Sequence, residues 1–280
     1  MQSSDPRPPL SGTIGFIGGG NMARALIGGL IAAGQPPASI AVSEPDPARR
    51  EGLAADFGIA LGADNREVAA QSDLLVLAVK PQVLPEVCQG LRGALERVEL
   101  IVSIAAGVPT ARLRAWLATD LPLVRAMPNT PALIGAGVSG LYAPPQCGAE
   151  ARARADRLLA SVGETVWIPD ESAMDAVTAV SGSGPAYFLL LCEALEQAAI
   201  AQGIEPESAR RLVLATALGS ARLARETARS PRELRAQVTS PGGTTEAALS
   251  VLFEGGWNGL IERAVAAATR RGRELSGSVV

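Results

Sequence analysis

The sequence contains no histidine, which excludes every site that depends on an imidazole base or an imidazole metal ligand. Lys80 is the one lysine, so all other basic side chains are arginines. The cysteines Cys88, Cys147 and Cys192 lie far apart in the chain and form no Cys-x-x-Cys pair. We therefore expect no metal site and no disulfide framework, but three reduced thiols in a cytoplasmic protein.

Aromatic residues are also scarce, and neither acidic nor basic residues are in large excess. Aromatic side chains make up 3% of the 280 residues and apolar residues 48%, so the core must be mainly aliphatic. The formal net charge is −3, and acidic and basic residues are mixed along the whole length without a basic stripe. This distribution predicts that neither nucleic acid nor an anionic membrane is a partner.

The apolar runs are short. The longest, such as 74–79 and 186–191, fall well below the roughly 20 residues that a membrane-spanning helix needs. The first nine residues are polar and rich in proline, without the apolar segment of a signal peptide. We therefore expect residues 1–10 to form a disordered tail.

Up to residue 169, short apolar runs alternate with helical patterns. Continuous apolar runs are typical of strands that are buried on both faces. The runs that predict strands lie at 13–17, 40–43, 74–79, 100–104 and 121–126, with 137–142 and 165–168 toward the far edge of the sheet. The alternation predicts an α/β domain over residues 11–169, with a parallel sheet covered by helices on both faces.

From residue 170 to 280 the pattern is helical throughout. The predicted helices lie at 172–180, 185–202, 206–228, 231–237, 245–254 and 257–273. Small residues such as Ala194, Ala198 and Gly219 are frequent in them and allow close approach of helices. Because this half contains few bulky side chains, we predict that it is an all-helical domain that dimerises.

A dinucleotide-binding fingerprint follows the first predicted strand. Gly18-x-Gly20-x-x-Ala23 has the spacing Gly-x-Gly-x-x-Gly/Ala, between a strand and a helix. In this motif the first glycine permits a tight turn, the second lets the backbone approach the pyrophosphate, and the small third residue lets helix and strand pack closely. The N-terminus of the helix also favours phosphate. The first domain is therefore predicted to be Rossmann-type and to bind a nicotinamide dinucleotide.

The end of the second strand does not decide between NAD and NADP. Ser43 suits a 2′-phosphate, whereas Glu44 does not unless its side chain points away. Arg49 and Arg50 could contact that phosphate or form an exposed helix face. Asn65 begins a further helical segment, where it could also serve as an N-cap.

Five segments, taken in order, resemble the pyrroline-5-carboxylate reductase family over about residues 13–275. They are Gly-Phe-Ile-Gly-Gly-Gly-Asn-Met-Ala at 15–23, Ala-Val-Lys-Pro at 78–81, Arg-Ala-Met-Pro-Asn-Thr-Pro at 125–131, Val-Ser-Gly-Ser-Gly-Pro-Ala-Tyr at 180–187 and Val-Thr-Ser-Pro-Gly-Gly-Thr-Thr-Glu at 238–246. The resemblance implies reduction of 1-pyrroline-5-carboxylate to L-proline, with NADPH as the usual cofactor and NADH as the alternative. It also implies a homodimer through the helical domain, which in this family often assembles into a ring of dimers.

The resemblance also implies roles for individual residues. Ser43 and Asn65 would lie near the adenosine ribose or its 2′-phosphate, and the Met127–Thr130 loop would border the nicotinamide. The residues expected to bind the cofactor are Gly18, Gly20, Asn21, Met22, Ala23, Ser43, Asn65, Ala78, Val79, Lys80, Pro81, Met127 and Asn129. Ser240 and the backbone of Gly243 and Thr244 would hold the substrate carboxylate, with the Thr245 hydroxyl at the ring nitrogen as the catalytic group.

The residues themselves support an anion site at 240–246. Two glycines before a helix leave its first N–H groups accessible, and such groups bind carboxylates. The alternative is that Thr244 or Thr245 only caps the helix, with Glu246 adding a capping interaction.

Three other functions remain open. A β-hydroxyacid dehydrogenase would need a lysine on the helix at 185–202, which has none. A reductase of another imine would differ only in the shape of its pocket. A non-catalytic NAD(P) sensor would be expected to have a damaged loop at 240–246, whereas this loop is intact.

Overall fold

The computed structural model describes residues 8–278, which divide into two compact units. Among the described residues, the first unit comprises 8–183 and 268–278, and the second comprises Gly184–Ala267. The domain boundary that we place at residue 169 stays a prediction. Of the predicted tail, residues 1–7 lie outside the described residues, whereas Leu10 is buried and its N–H donates to Gln35 Oε1 at 2.8 Å.

The first unit contains an eight-stranded sheet. Its strands are β1 (Ile14–Ile17), β2 (Ile40–Ser43), β3 (Ala60–Gly62), β4 (Leu74–Leu77), β5 (Leu100–Ser103), β6 (Leu123–Met127), β7 (Gly137–Tyr142) and β8 (Gly163–Trp167). Their order in the sheet is β3-β2-β1-β4-β5-β6-β7-β8. All neighbours are parallel except β6 and β7, so β7 and β8 run opposite to the rest. The Rossmann-type sheet is confirmed, with an antiparallel step that we did not predict.

Helices make up the rest of the regular structure. The α-helices within residues 8–278 are α1 (Asn21–Ala32), α2 (Pro47–Phe57), α3 (Asn65–Ala70), α4 (Leu84–Gly90), α5 (Thr110–Leu117), α6 (Ala149–Ala160), α7 (Met174–Val177), α8 (Gly184–Ala201), α9 (Pro206–Glu226), α10 (Pro231–Gln237), α11 (Thr244–Glu254) and α12 (Trp257–Ser278). A π-helical turn, Thr178–Gly182, interrupts the helix that we predict at 172–180. The helical C-terminal half is confirmed.

The sheet is buried on both faces because successive strand residues point to opposite sides. On one face, Phe16 and Val76 pack with residues of α1 and α6, including Leu26 and Leu158. The other face carries Ile17, Leu75 and Ile101 among others, packed with residues of α4 and α5. This packing fixes the carboxyl ends of β1, β2, β4, β5 and β6 along one edge.

Arg125 on β6 forms a buried ion-pair cluster beside that edge. Its side chain is 5% exposed, and its guanidinium lies 3.5 Å from a Glu171 oxygen and 3.4 Å from an Asp175 oxygen. The N–H and hydroxyl of Thr110 donate to Glu171 at 2.7 and 2.8 Å, and the Ser276 hydroxyl donates to Asp175 at 3.4 Å. The cluster therefore joins the sheet to the start of α5, to α7 and to the end of α12.

We expect Arg125→Ala to lower the free energy of unfolding by about 2 to 4 kcal/mol, because two partly buried carboxylates lose their counter-charge. Chemical denaturation monitored by circular dichroism measures the change. Arg271→Ala is the matched control, since Arg271 forms an exposed pair with Glu274 and should cost under about 1 kcal/mol. Equal losses in the two variants would contradict the assigned role of Arg125.

Two of the three cysteines are buried thiols of low reactivity. Burial raises the pKa of Cys88 to about 12, and it also raises the pKa of Cys147, which is 3% exposed. Cys192 on α8 is less buried. Because the thiolate is the reactive form, we expect Cys88 and Cys147 to react with a disulfide reagent at pH 8 only after unfolding. Cys192→Ser should leave no rapidly reacting thiol in the folded protein; rapid labelling of that variant would contradict this expectation.

Candidate functional site

The fingerprint turn lies where β1 passes into α1, and Gly18 shapes it. Gly18 has φ +100°, and its N–H donates to the Ser43 carbonyl at 2.8 Å. A Cβ at this position would lie 2.9 Å from the carbonyl oxygen of Ala78. Gly18 is therefore enclosed between the ends of β2 and β4, where a residue with a side chain does not fit.

The next part of the turn is open. Gly20 is the N-cap of α1, no side chain caps this helix, and a Cβ on Gly20 would meet nothing within 4 Å. Asn21 is exposed and Met22 half-buried, whereas Ala23 is 1% exposed in the core. The N–H groups at the start of α1 therefore have no side-chain cap, and the space in front of Gly20 is empty. These are the two features that a bound pyrophosphate requires.

Ser43 and Asn65 come together although 22 residues separate them. Ser43 ends β2, and its hydroxyl donates to Asn65 Oδ1 at 2.7 Å. Asn65 is the first residue of α3, and Asp64 is the N-cap, accepting from the N–H of Arg66. The alternative role of Asn65 as an N-cap is therefore wrong. Asn65 is half-buried, whereas Ser43 is 0% exposed and its hydroxyl donates to Asn65.

The Glu44 side chain points inward. Its exposed fraction is 4%, and its Oε2 accepts from the N–H of Gly19 at 2.9 Å. Arg50 donates to the carbonyls of Glu44 and Pro45 at 2.6 and 2.9 Å, so its guanidinium is used locally. Arg49 remains 63% exposed, 3.7 Å from Asp46 and 4.0 Å from Glu44. Of the two arginines, Arg49 is the one that is free to turn toward a ligand.

The residues after β4 continue the same edge of the sheet. The Ala78 N–H donates to the Ile17 carbonyl at 2.9 Å, and Val79 packs against the core. Lys80 is exposed in an extended conformation, and Pro81 begins a short 3-10 turn. These four residues therefore lie beside the fingerprint turn, at the point where the strand order reverses between β1 and β4.

Met127 ends β6, Asn129 lies two residues beyond it, and both contact the π-helical turn. Asn129 Nδ2 donates to the Ser181 carbonyl at 3.1 Å, and its Oδ1 accepts from the Val138 N–H at 2.9 Å. A Cβ on Gly182 would lie 2.6 Å from Met127 Cε. The structure thus joins two of the sequence segments, 125–131 and 180–187. The Asn129 amide supports the loop from within, because both of its polar atoms have protein partners.

These groups share one edge of the sheet. The ends of β1, β2, β4 and β6 carry Gly18, Ser43, Ala78 and Met127. In sheets of this topology ligands bind beyond the carboxyl ends of the strands, at the point where the order reverses. The geometry therefore supports an extended dinucleotide site on the first unit.

A second cluster belongs to the second unit. The Gly243 N–H donates to the Ser240 carbonyl at 3.0 Å, and Gly242 has φ +69°. Glu246 Oε2 accepts from the Gly242 N–H at 2.7 Å. The loop is therefore a closed turn, stabilised by the side chain of Glu246 in the first turn of α11.

The turn leaves the start of α11 accessible. Gly243 is the N-cap, and no side chain caps the helix. The interpretation that Thr244 or Thr245 serves as the N-cap is therefore wrong, whereas Glu246 does bond the turn. Helix N–H groups without a side-chain cap favour an anion, and Thr245 places a hydroxyl in the same first turn.

Residues 8–278 contain no candidate metal cluster and no membrane-spanning helix. No group of three or more cysteine, aspartate or glutamate side chains there could hold a metal ion. Each helix of that part is too short or too polar to cross a bilayer.

The chain matches two family models. Residues 13–107 match the model for NADP oxidoreductase, coenzyme F420-dependent, and residues 171–275 match the model for pyrroline-5-carboxylate reductase dimerisation. The first match contains the fingerprint turn, and the second contains the turn at 240–246.

Whole-chain relatives agree with the family models. The chain is 51% identical to a pyrroline-5-carboxylate reductase of Pseudomonas aeruginosa over 263 residues, covering 94% of this chain and 96% of the relative. A solved pyrroline-5-carboxylate reductase from Coxiella burnetii superposes with a TM-score of 0.90 at 41% identity, covering 95% and 99% of the two chains. The Plasmodium falciparum pyrroline carboxylate reductase, solved with NADP bound, gives a TM-score of 0.85 at 27% identity, covering 95% and 98%.

The sheet edge with its glycine turn, the helical second unit and these full-length similarities agree with one another. The chain belongs to the pyrroline-5-carboxylate reductase family.

Proposed function

We propose that this chain reduces 1-pyrroline-5-carboxylate to L-proline with NADPH, the last step of proline biosynthesis. The observation that carries the proposal is the 51% identity to a reductase of this name over 94% of the chain. The open glycine turn and the closed turn before α11 supply sites for a dinucleotide and for an anion.

The first unit holds the cofactor in this proposal. The N–H groups at the start of α1 face the pyrophosphate, and Asn65 lies toward the 2′-phosphate, held by the hydroxyl of the buried Ser43. Arg49 is exposed and can add a positive charge, whereas the Glu44 carboxylate is already bonded to backbone N–H groups. These features support NADPH, with NADH as the second cofactor to test.

The second unit holds the substrate carboxylate at the turn before α11. Ser240 and the Thr244 N–H bind it, and the Thr245 hydroxyl bonds the ring nitrogen. The Gly243 N–H, which the resemblance also places at the carboxylate, already donates to the Ser240 carbonyl at 3.0 Å. NADPH, when bound, supplies the hydride that reaches C5 of the ring. A hydroxyl is too weak an acid to donate the proton outright, so the substrate binds as the iminium or takes its proton from water. Thr245 then orients the C=N bond and favours its protonated form.

The active form in this proposal is a cytoplasmic homodimer formed through the helical unit. Within the single chain, Phe188, Leu189 and Leu218 are 73, 64 and 63% exposed. Apolar surface of this kind is rarely left in water, and residues 171–275 match a dimerisation model. Light scattering should give twice the chain mass or an even multiple of it, the latter if the dimers form a ring. A monomer would contradict the proposal.

The decisive experiment follows the loss of NADPH, and separately of NADH, after 1-pyrroline-5-carboxylate is added. Proline formation is measured directly in the same samples. We expect turnover with both cofactors and a higher kcat/KM with NADPH. A folded protein that binds NADPH but makes no proline would contradict the proposed reaction, and other cyclic imines would then be tested as substrates.

A further inference from the structure

Glu44 is a buried carboxylate between the two turns that receive the dinucleotide in this fold. One oxygen, Oε2, accepts from the N–H of Gly19 at 2.9 Å, and the other, Oε1, accepts from the N–H of Asp46 at 3.1 Å. The residue is 4% exposed. Each carboxylate oxygen therefore has its own backbone donor, one from the β1–α1 turn and one from the β2–α2 turn.

The backbone of Glu44 is held as firmly as its side chain. Its N–H donates to the Gly62 carbonyl at 3.0 Å, and its carbonyl accepts from Arg50 at 2.6 Å. On the other side, a Cβ on Gly19 would lie 2.6 Å from Leu53 Cδ1 and 3.3 Å from Glu44 Cβ. The Glu44 side chain therefore packs closely against the fingerprint turn.

We propose that Glu44 is a positioning residue that holds the Gly18–Gly20 turn in its ligand-binding shape. An acid at the end of the second strand commonly accepts from the ribose 2′-hydroxyl and thereby selects NAD. In this chain Glu44 is 4% exposed and its carboxylate oxygens accept the N–H groups of Gly19 and Asp46, so we place its action on the pyrophosphate side of the site. It therefore strengthens the binding of NADPH and NADH alike. This inference rests on the proposed function for the identity of the ligand.

Because the N–H groups of Gly19 and Asp46 donate to different oxygens of Glu44, the side chain must have two accepting oxygens. A glutamine of the same size has one accepting oxygen, and its NH₂ group would face the second backbone N–H. Loss of a buried hydrogen bond to a charged group is among the more costly polar substitutions. Glu44→Gln therefore tests the contact without changing the volume of the side chain.

The first measurement needs neither cofactor nor turnover. Hydrogen–deuterium exchange of the full-length protein, read in peptides covering residues 15–22, reports on the Gly19 N–H. We expect exchange at this position to be about tenfold faster in Glu44→Gln. Glu51→Gln is the matched control, because it removes the same charge from an exposed position on α2, and it should leave the exchange unchanged.

The second measurement is calorimetric binding of NADPH and of NADH to the same variants. For Glu44→Gln we expect both Kd values to rise about tenfold, with their ratio changed by less than about twofold. A role confined to global stability would lower the active fraction and leave Kd unaltered. Glu44→Asp keeps the charge on a side chain that is one methylene shorter, and its Kd values should lie between those of the wild type and of Glu44→Gln. It replaces Glu44→Gln in both measurements if that variant does not fold.

Two outcomes would overturn the inference. A shift of the NADPH to NADH ratio by about tenfold or more would show that Glu44 acts on cofactor selection, by contacting the ribose or through Arg49, which lies 4.0 Å from its Oε2. Unchanged exchange and unchanged Kd values would show that the carboxylate does not hold the turn. Neither hydrogen–deuterium exchange nor cofactor binding requires 1-pyrroline-5-carboxylate. A wild-type protein that binds NADPH but makes no proline would therefore contradict the proposed reaction, whereas the role of Glu44 could still be tested.

Discussion

Gly18→Ala is expected to raise the Kd for NADPH at least about 100-fold, which corresponds to about 2.7 kcal/mol. Gly18 has φ +100°, and an added Cβ would lie 2.9 Å from the Ala78 carbonyl oxygen. The turn can accept the methyl group only by moving, and the N–H groups of the pyrophosphate site move with it. Calorimetric titration of the folded variant with NADPH measures the effect.

Gly34→Ala separates this loss from backbone strain. Gly34 has φ +95°, close to that of Gly18, but a Cβ there would meet nothing within 4 Å. We expect Gly34→Ala to lose about 1 to 3 kcal/mol of stability from its left-handed conformation and to bind NADPH normally. If the two variants bound NADPH equally well, the close approach of Gly18 to Ala78 would have no role in the cofactor site.

Thr245→Val is expected to reduce kcat about 100-fold, in the range seen when one preorganised donor is removed from a reacting group. Valine keeps the branched shape and deletes only the hydroxyl that we place at the ring nitrogen. Because the carboxylate is held by Ser240 and by the Thr244 N–H, we expect KM for the substrate to change much less. Steady-state kinetics with saturating NADPH give both parameters.

Thr245→Ser restores the hydroxyl and is expected to recover most of the activity. Both variants should keep the wild-type melting temperature within a few degrees, since Thr245 is not the N-cap of α11. Normal turnover by a folded Thr245→Val protein would remove Thr245 from the catalytic site. Loss of activity in both variants would indicate that the hydroxyl and the β-methyl group are both required.

The strands that could be predicted from the sequence are those with an apolar signal. β4 and β5 are continuous apolar runs because both of their faces are buried. β3 was not predicted, because an edge strand of three residues with exposed and half-buried positions has no apolar run. The reversed direction of β7 and β8 was also not predicted, since an apolar pattern reports burial and carries no information on strand direction.

In the candidate site, the turns could be predicted but the side-chain directions could not. The spacing of Gly18, Gly20 and Ala23 follows from what the backbone must do, so it is visible in the sequence. The inward direction of Glu44 depends on the N–H of Gly19, which lies 25 residues away in the chain. The pairing of Ser43 with Asn65 likewise depends on the sheet placing β2 beside the start of α3. Such contacts arise only from the tertiary fold.

The last helix has a consequence for how the protein is made. α12 begins in the second unit, yet from Ala268 onward its residues belong to the first, where Ser276 bonds Asp175. The ribosome therefore releases the final piece of the dinucleotide-binding unit only after the whole helical unit has been synthesised. During translation the sheet can form early, but the Asp175 side of the Arg125 cluster stays incomplete until the C-terminal segment emerges. A nascent chain that stops at residue 183 therefore lacks the hydrogen bond from Ser276 to Asp175.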